Sequence, residues 1–345
     1  MIHVGVIGAT GYTGIELVRL LLGHPEAKIT AVTSEKSAGQ SFSQVFPAFQ
    51  GIFDLPLEPF HAIETSKKIQ VAFLCLPHQS AMEGAWGLRE RGIKVIDLSA
   101  DFRLKSLKEY EQWYGKHSRP ELLKEAVYGL PELNREKIKG AKLLANPGCY
   151  PTSAALALMP LIQEKLITLD SIVVDSKSGV SGAGRSAEVG NLFSEVNEGF
   201  KAYKVGNHRH TPEIEQTLSD VAGQSIKITF TPHLVPMDRG ILTTAYAKPL
   251  KKLKTADLLK IFKDFYKKEP FVRIKPEGVF PNTRDVRTTN FCDIGCHFDE
   301  RAERIVVISA IDNLTKGAAG QAIQNFNLMA GFEEVTALKL SAHIP

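Results

Sequence analysis

Cys149 stands in the chemically densest stretch of this 345-residue chain, Asn146-Pro147-Gly148-Cys149-Tyr150-Pro151-Thr152, ahead of an apolar helical run. Pro147 and Gly148 shape a turn and leave room around the sulfur. Thr152 reads as an N-cap, which sets Cys149 just ahead of a helix N-terminus. The dipole and the open N–H groups of such an end favour a thiolate. A thiolate is the nucleophile that attacks an activated acyl group. Cysteines more often pack as small apolar residues. The turn, the helix start and the position between two differently patterned halves argue against that for Cys149. Cys75 lies within the apolar run 71–76 and reads as core. Cys292, Cys296 and His297 share a strand-like run with no second Cys or His pair to complete a ligand set, so no metal is expected.

A second polar cluster is Gly206-Asn207-His208-Arg209-His210-Thr211-Pro212-Glu213. Thr211-Pro212-Glu213 forms a helix start with proline at the first helical position, so both histidines lie in the loop feeding it. Thioester reduction needs a proton for the oxygen of its intermediate, and a group titrating near neutrality supplies one. Spacing does not choose between His208 and His210, although the dipole disfavours an imidazolium at His210, nearer the helix start. A third cluster, Ser178-Gly179-Val180-Ser181-Gly182-Ala183-Gly184-Arg185, offers backbone donors and a guanidinium to phosphate or cofactor, with Ser181 and Gly182 on the cofactor side. Arg103, in Ala100-Asp101-Phe102-Arg103 after a strand, reads as an anion holder or else as a surface ion pair. Arg103, Asn146 and Arg185 are the candidate substrate contacts.

Gly8-Ala9-Thr10-Gly11-Tyr12-Thr13-Gly14 follows the first strand and opens a helix. Glycines permit the tight turn and close backbone approach, and the helix end attracts a pyrophosphate. Gly8, Thr10, Gly11, Tyr12, Thr13 and Gly14 are therefore expected at a dinucleotide. The second strand ends Thr33-Ser34-Glu35-Lys36-Ser37. Ser34 stands where an NAD site carries its acid, and Lys36 is suited to a 2′-phosphate; this favours NADP(H), with Glu35 one residue along blurring the choice.

These residues need a scaffold. Over the first ~150 residues, apolar Val- and Ile-rich runs at 2–7, 28–33, 69–76, 93–98 and 142–145 alternate with helical patterns at 14–22 and 80–90. That rhythm predicts an α/β architecture with an N-terminal Rossmann-like doubly wound parallel sheet. After Cys149 come a helix over 152–165 and longer strands at 171–177, 226–235, 241–248, 288–297 and 305–311. These predict a second α+β domain with a mostly antiparallel sheet. A last helix over 316–329 is expected to return to the first domain. The expected division is 1–148 with 313–345 for the dinucleotide, and 149–312 for catalysis, substrate and oligomerisation. Forty-two basic against 38 acidic residues leave a formal charge of +4 without a concentrated patch, which gives no case for nucleic acid or a membrane surface. Four cysteines make no disulfide framework, and no run resembles a signal peptide or a membrane span, so the cytoplasm is expected.

In order along residues 2–330, the glycine loop, Ala100–Arg103, the cysteine motif, 178–185, His208-Arg209-His210-Thr211-Pro212-Glu213 and Asp312-Asn313-Leu314-Thr315-Lys316-Gly317-Ala318-Ala319-Gly320 resemble the N-acetyl-γ-glutamyl-phosphate reductases of arginine biosynthesis. Aspartate-semialdehyde dehydrogenases share the fold and cysteine chemistry but not the histidine segment. Ser153 departs from the glycine or alanine usual after the threonine, a modest change of size. The resemblance implies Cys149 as nucleophile, His208 as acid/base and His210 as a substrate holder. It also implies that the 312–320 segment, with Asn313, Lys316 and Gly317, approaches the nicotinamide, and that the chain is a homodimer or homotetramer. Rival readings are a sister reductase acting on a carrier-linked glutamyl or aminoadipyl phosphate or on aspartyl phosphate, a Cys/His acyltransferase without nicotinamide, and a non-enzymatic NADP sensor.

Overall fold

A computed structural model describes residues 1–343. The chain forms two compact units, residues 1–147 with 318–339, and residues 148–317 with the stretch from Leu340.

The first unit is built on a seven-stranded sheet ordered β3-β2-β1-β4-β5-β7-β6, every neighbouring pair parallel. Its strands are β1 Ile2–Ile7, β2 Ala27–Thr33, β3 Leu57–Glu58, β4 Val71–Leu74, β5 Lys94–Asp97, β6 Val127–Tyr128 and β7 Leu143–Ala145. Central strands such as β4 are buried at every residue, which is why they read as unbroken apolar runs. The doubly wound sheet expected from the sequence is present. The central strands β4 and β5 are shorter than their apolar runs: 69–76 supplies only Val71–Leu74 and 93–98 only Lys94–Asp97, and Cys75 lies past the strand end, half-buried. The two-residue edge strands β3 and β6 carry too little pattern to be read in advance. A helix, Gly320–Ala330, packs on β5 and on the helices Tyr12–Leu22 and Pro131–Lys139. It is the expected returning helix, preceded by a π-helical turn, Thr315–Ala319.

The second unit holds a seven-stranded mixed sheet ordered β12-β13-β14-β11-β8-β10-β9. Its strands are β8 Val173–Gly179, β9 Lys201–Ala202, β10 Thr229–Val235, β11 Ile241–Ala247, β12 Val272–Ile274, β13 Cys292–Asp299 and β14 Arg304–Ile311. Only the β8–β10 and β12–β13 pairs are parallel. Strand β13 starts later than the run 288–297 suggests. Thr288 has a φ of +62°, and Thr289 N–H closes a turn onto Val286 O, so 288–291 cannot extend. The helix Cys149–Gln163 lies on β11 and β14, and is buried from Tyr150 to Ile162. The helix Thr211–Ala222 packs beside it. Among the described residues, no helix is long and apolar enough to cross a membrane.

Candidate active site

Cys149 is the first residue of its helix, and Gly148 is the N-cap, with an extended φ of −70° and ψ of 157°. This corrects the sequence expectation. Thr152 does not cap the helix; it lies in the first turn, where its hydroxyl and its N–H both donate to Gly148 O at 3.0 Å. The correction moves the sulfur onto the first turn itself, where backbone N–H groups have no partner earlier in the helix. Gly148 N–H donates 2.8 Å to Glu213 Oε1, a carboxylate only 1% exposed in the first turn of the neighbouring helix. Glu213 thus ties the cysteine turn to the helix that follows the histidines. The sequence reading took Glu213 only for a helix-start acid, and nothing local reveals that it reaches another helix.

His208 is 8% exposed and sits in an aromatic box. Its ring meets Tyr150 at 5.4 Å, Tyr203 at 5.3 Å, Phe230 at 5.5 Å and His210 at 5.0 Å between centroids, all edge-on. Burial, with the charges of Lys204 and Arg209, lowers its pKa from 6.5 to about 4. His208 Nδ1 accepts the backbone N–H of His210 at 3.0 Å, so the neutral ring carries its proton on Nε2. His210 is the N-cap residue of Thr211–Ala222, and Pro212 falls at the second helical position, one later than expected. Tyr203, which no sequence signal marked, donates its hydroxyl to Tyr150 Oη at 3.2 Å, and Tyr150 donates to His233 O at 3.1 Å. Burial pushes the Tyr203 phenol up to about 12, and a charge on Cys149 adds to this. Tyr150 is driven further in the same direction, by burial first. Neither phenol ionises readily; both remain donors beside the cysteine.

Gly317 lies against the nucleophile. A Cβ there would stand 2.7 Å from Cys149 Cβ, so only glycine lets the π-turn pass. Gly317 N–H donates to Asp312 O at 2.9 Å. Asp312 is fully buried, and its carboxylate accepts from Thr288 N at 2.7 Å, from Leu314 N and Thr315 N at 2.8 Å each, and from Arg239 Nη2 at 3.1 Å. Asn313 accepts from Gly240 N at 2.7 Å and donates to Ser181 Oγ at 2.9 Å, while Ser181 Oγ donates to Asp238 O at 2.6 Å. Two expected cofactor residues, Ser181 and Asn313, are therefore joined to each other. Gly182 and Arg185 are exposed in the loop beyond. Lys316, also expected at the cofactor, is instead fully buried with its ammonium 5.7 Å from the Phe271 ring centroid.

In the first unit, the glycine loop has the geometry of a cradle. Gly8 has a φ of +84°, and a Cβ there would stand 2.5 Å from Cys75 O. A Cβ on Gly14 would meet Gly8 O at 2.6 Å. The helix starts at Tyr12 after Gly11, two residues earlier than expected, with no side-chain cap and no acid in its first turn. Its end therefore stays open to an anion. Thr10 and Ser34 hydroxyls lie 2.9 Å apart, which ties the loop to the end of β2. Lys36 is exposed nearby in sequence. Glu35, the residue that blurred the cofactor choice, accepts Phe60 N–H at 2.9 Å. One of its carboxylate oxygens is thereby engaged by the backbone.

Two expected substrate contacts also tie the first unit together. Arg103 is not the exposed surface ion pair. It is 6% exposed, and donates to Asn146 O and Leu98 O at 2.8 Å each. Its charge also eases the buried Asp97, whose pKa burial and the Asp101 charge push up to about 7. Asn146 donates to Ala318 O at 3.1 Å and accepts from Asn325 at 3.0 Å, so its amide holds the two ends of the first unit together. Cys292 and Cys296 are buried on one face of β13, whereas His297 is exposed on the other. Burial raises the Cys296 thiol to about 12.

Comparison with known proteins agrees with this geometry. Residues 3–141 match the semialdehyde dehydrogenase NAD binding domain, and residues 149–313 match the semialdehyde dehydrogenase dimerisation domain. The fold superposes on aspartate semialdehyde dehydrogenase with NADP from Candida albicans with a TM-score of 0.73 over 96% of this chain and 98% of that one, at 17% identity. N-acetyl-gamma-glutamyl-phosphate reductase of Geotalea daltonii is 56% identical over 98% of each chain. That of Citrifermentans bemidjiense is 55% identical over the full length of both. With that similarity, spanning both units and every motif that carries the candidate chemistry, the chain belongs to the N-acetyl-γ-glutamyl-phosphate reductase family.

Proposed function

We propose that this chain reduces N-acetyl-γ-glutamyl phosphate to N-acetylglutamate 5-semialdehyde and phosphate through a thioester on Cys149. The observation that carries the reading is the cysteine on the first helical turn, its turn braced by Glu213 and the next residue, Tyr150, packed against the boxed His208. The Cys149 sulfur attacks the acyl carbon, the carbon–oxygen bond to phosphate breaks, and a thioester forms. Arg185, exposed on its loop, is suited to the departing phosphate. The Gly8–Gly14 loop, with Ser34 and Lys36, would hold NADPH, which when bound would supply the hydride that reduces this thioester. His208 Nε2–H donates a hydrogen bond to the oxygen as negative charge develops on it in the thiohemiacetal. The oxygen's electron pair re-forms the carbonyl as the carbon–sulfur bond breaks, releasing the aldehyde and restoring the thiolate. Tyr150 and Tyr203 shield the histidine from water and keep it neutral. His210 is assigned to hold the substrate, with Ser181, Gly182, Asn313 and Gly317 on the nicotinamide side.

The test is Cys149→Ser. Turnover is expected to vanish, with NADPH binding, read by fluorescence titration, within about twofold of the parent. Retained reductase activity contradicts the assignment.

The same reading makes the protein a cytoplasmic homodimer joined through one sheet face. Thr243, Ala245, Val307 and Ser309 point beneath the nucleophile helix and are buried. Leu242, Thr244, Tyr246, Val306 and Ile308 alternate with them and stay partly exposed. In register, Tyr246 pairs with Val306 and Thr244 with Ile308, which forms a continuous, mostly apolar stripe suited to its own copy.

A further inference from the structure

The nucleophile helix is buried on all sides from Tyr150 to Ile162, and most of its contacts are apolar. Apolar contact is non-directional, so a helix that is greasy all round has no strongly preferred rotation or axial position. Thiolate chemistry requires both, because a displacement of an ångström misaligns the attack. Tyr150 supplies one directional bond at the mouth, to His233 O. One helical turn deeper, Ser153 supplies another set.

Ser153, Ser176, Thr243 and Ser309 are each fully buried. Ser153 Oγ donates to Thr243 Oγ1 at 2.9 Å and lies 2.8 Å from Ser309 Oγ. Ser309 Oγ also donates to Ser153 O at 3.0 Å. Thr243 Oγ1 and Ser176 Oγ lie 2.8 Å apart. Four hydroxyls from the helix, β8, β11 and β14 thus form one chain in a dry interior. Each hydroxyl has a single proton, so the chain is satisfied only when every member keeps its place. Rotating or sliding the helix would strand several buried polar atoms at once. Ser153 is four residues beyond Cys149, on the next turn of the same rigid rod.

We propose that this hydroxyl chain sets the register of the nucleophile helix on its sheet, making Ser153 and Thr243 positioning residues for the Cys149 sulfur. The proposal rests on Cys149 being the nucleophile. The sequence reading weighed Ser153 only as a change of size; in the fold its hydroxyl is the feature that matters.

The test compares Thr243→Val, which keeps the shape and removes the hydroxyl, with Thr243→Ser, which keeps the hydroxyl and removes a methyl. Both are made in the full chain and assayed well below their melting temperatures. Cys149→Ser is run alongside; turnover in that variant would overturn the nucleophile assignment itself, independently of the Thr243 pair. Two properties are read: kcat against KM, and the pH profile of Cys149 alkylation by iodoacetamide, followed by peptide mass. Thr243→Val is expected to lower kcat on the order of tenfold, to leave KM for NADPH unchanged, and to move the alkylation midpoint to higher pH. Thr243→Ser is expected to match the parent in all three, even if it melts earlier. A Thr243→Val enzyme with parental kcat and alkylation profile overturns the proposal. So does a Thr243→Ser enzyme impaired as much as Thr243→Val, since packing would then be the cause.

Discussion

His208 concentrates the residue-scale argument, because its box decides its protonation. A folded-state pKa of about 4 against the usual 6.5 means that the unfolded chain binds the extra proton first as pH falls. His208 therefore leaves stability untouched above 6.5 and destabilises the fold progressively as pH drops toward 4. The unfolding free energy, from urea titrations, is expected to fall less steeply across that window in His208→Gln than in the parent. Equal slopes would mean that the box does not hold the ring neutral. At this scale the sequence is informative where chemistry and local geometry coincide. Cys149 and the histidine loop are legible because turn, helix start and reactive side chain are contiguous. Arg103, Asn146 and Glu213 are not, since their partners are 5, 43, 65, 172 and 179 positions away along the chain. A polar side chain does not advertise whether its partner will be a ligand or a distant backbone carbonyl.

Elements were legible in proportion to their length and pattern. The buried parallel strands, the glycine-loop helix and the nucleophile helix follow from apolar runs and breakers. The two-residue strands β3 and β6 exist because neighbours offer free edges, not because their residues demand it. The π-turn Thr315–Ala319 is likewise imposed from outside, by Asp312 gathering the N–H groups around it and by Gly317 passing Cys149. The alternation along β11 and β14 leads to the dimer assignment, and one substitution tests it. Ile308→Glu, on the partly exposed face, is expected to shift the light-scattering mass from dimer to monomer while the circular dichroism spectrum is unchanged. A dimer that survives this change, or a parent that is already monomeric, contradicts the assigned face.

Across the whole molecule, the chain builds one unit, crosses into the second at the cysteine motif, and returns at the π-turn to finish the first. The nucleophile and the glycine that abuts it sit at those two crossings. Residues that begin a unit are held by that unit's whole core, which suits a site that must be rigid. The two-part architecture was legible because a parallel βαβ half and a long-stranded half carry different hydrophobic periods. The hydroxyl chain under the nucleophile helix was not, because serine and threonine in apolar runs look like tolerated strand residues until the strands are paired.

The central claim is the thioester, and the reverse reaction isolates it. Enzyme is mixed with N-acetylglutamate semialdehyde and NADP with phosphate left out, then followed by absorbance and intact mass. A stoichiometric burst of NADPH with an N-acetylglutamyl adduct on the Cys149 peptide, discharged when phosphate is added, is the result expected here. NADPH formation that appears only with phosphate, and never leaves an adduct on Cys149, would contradict the account.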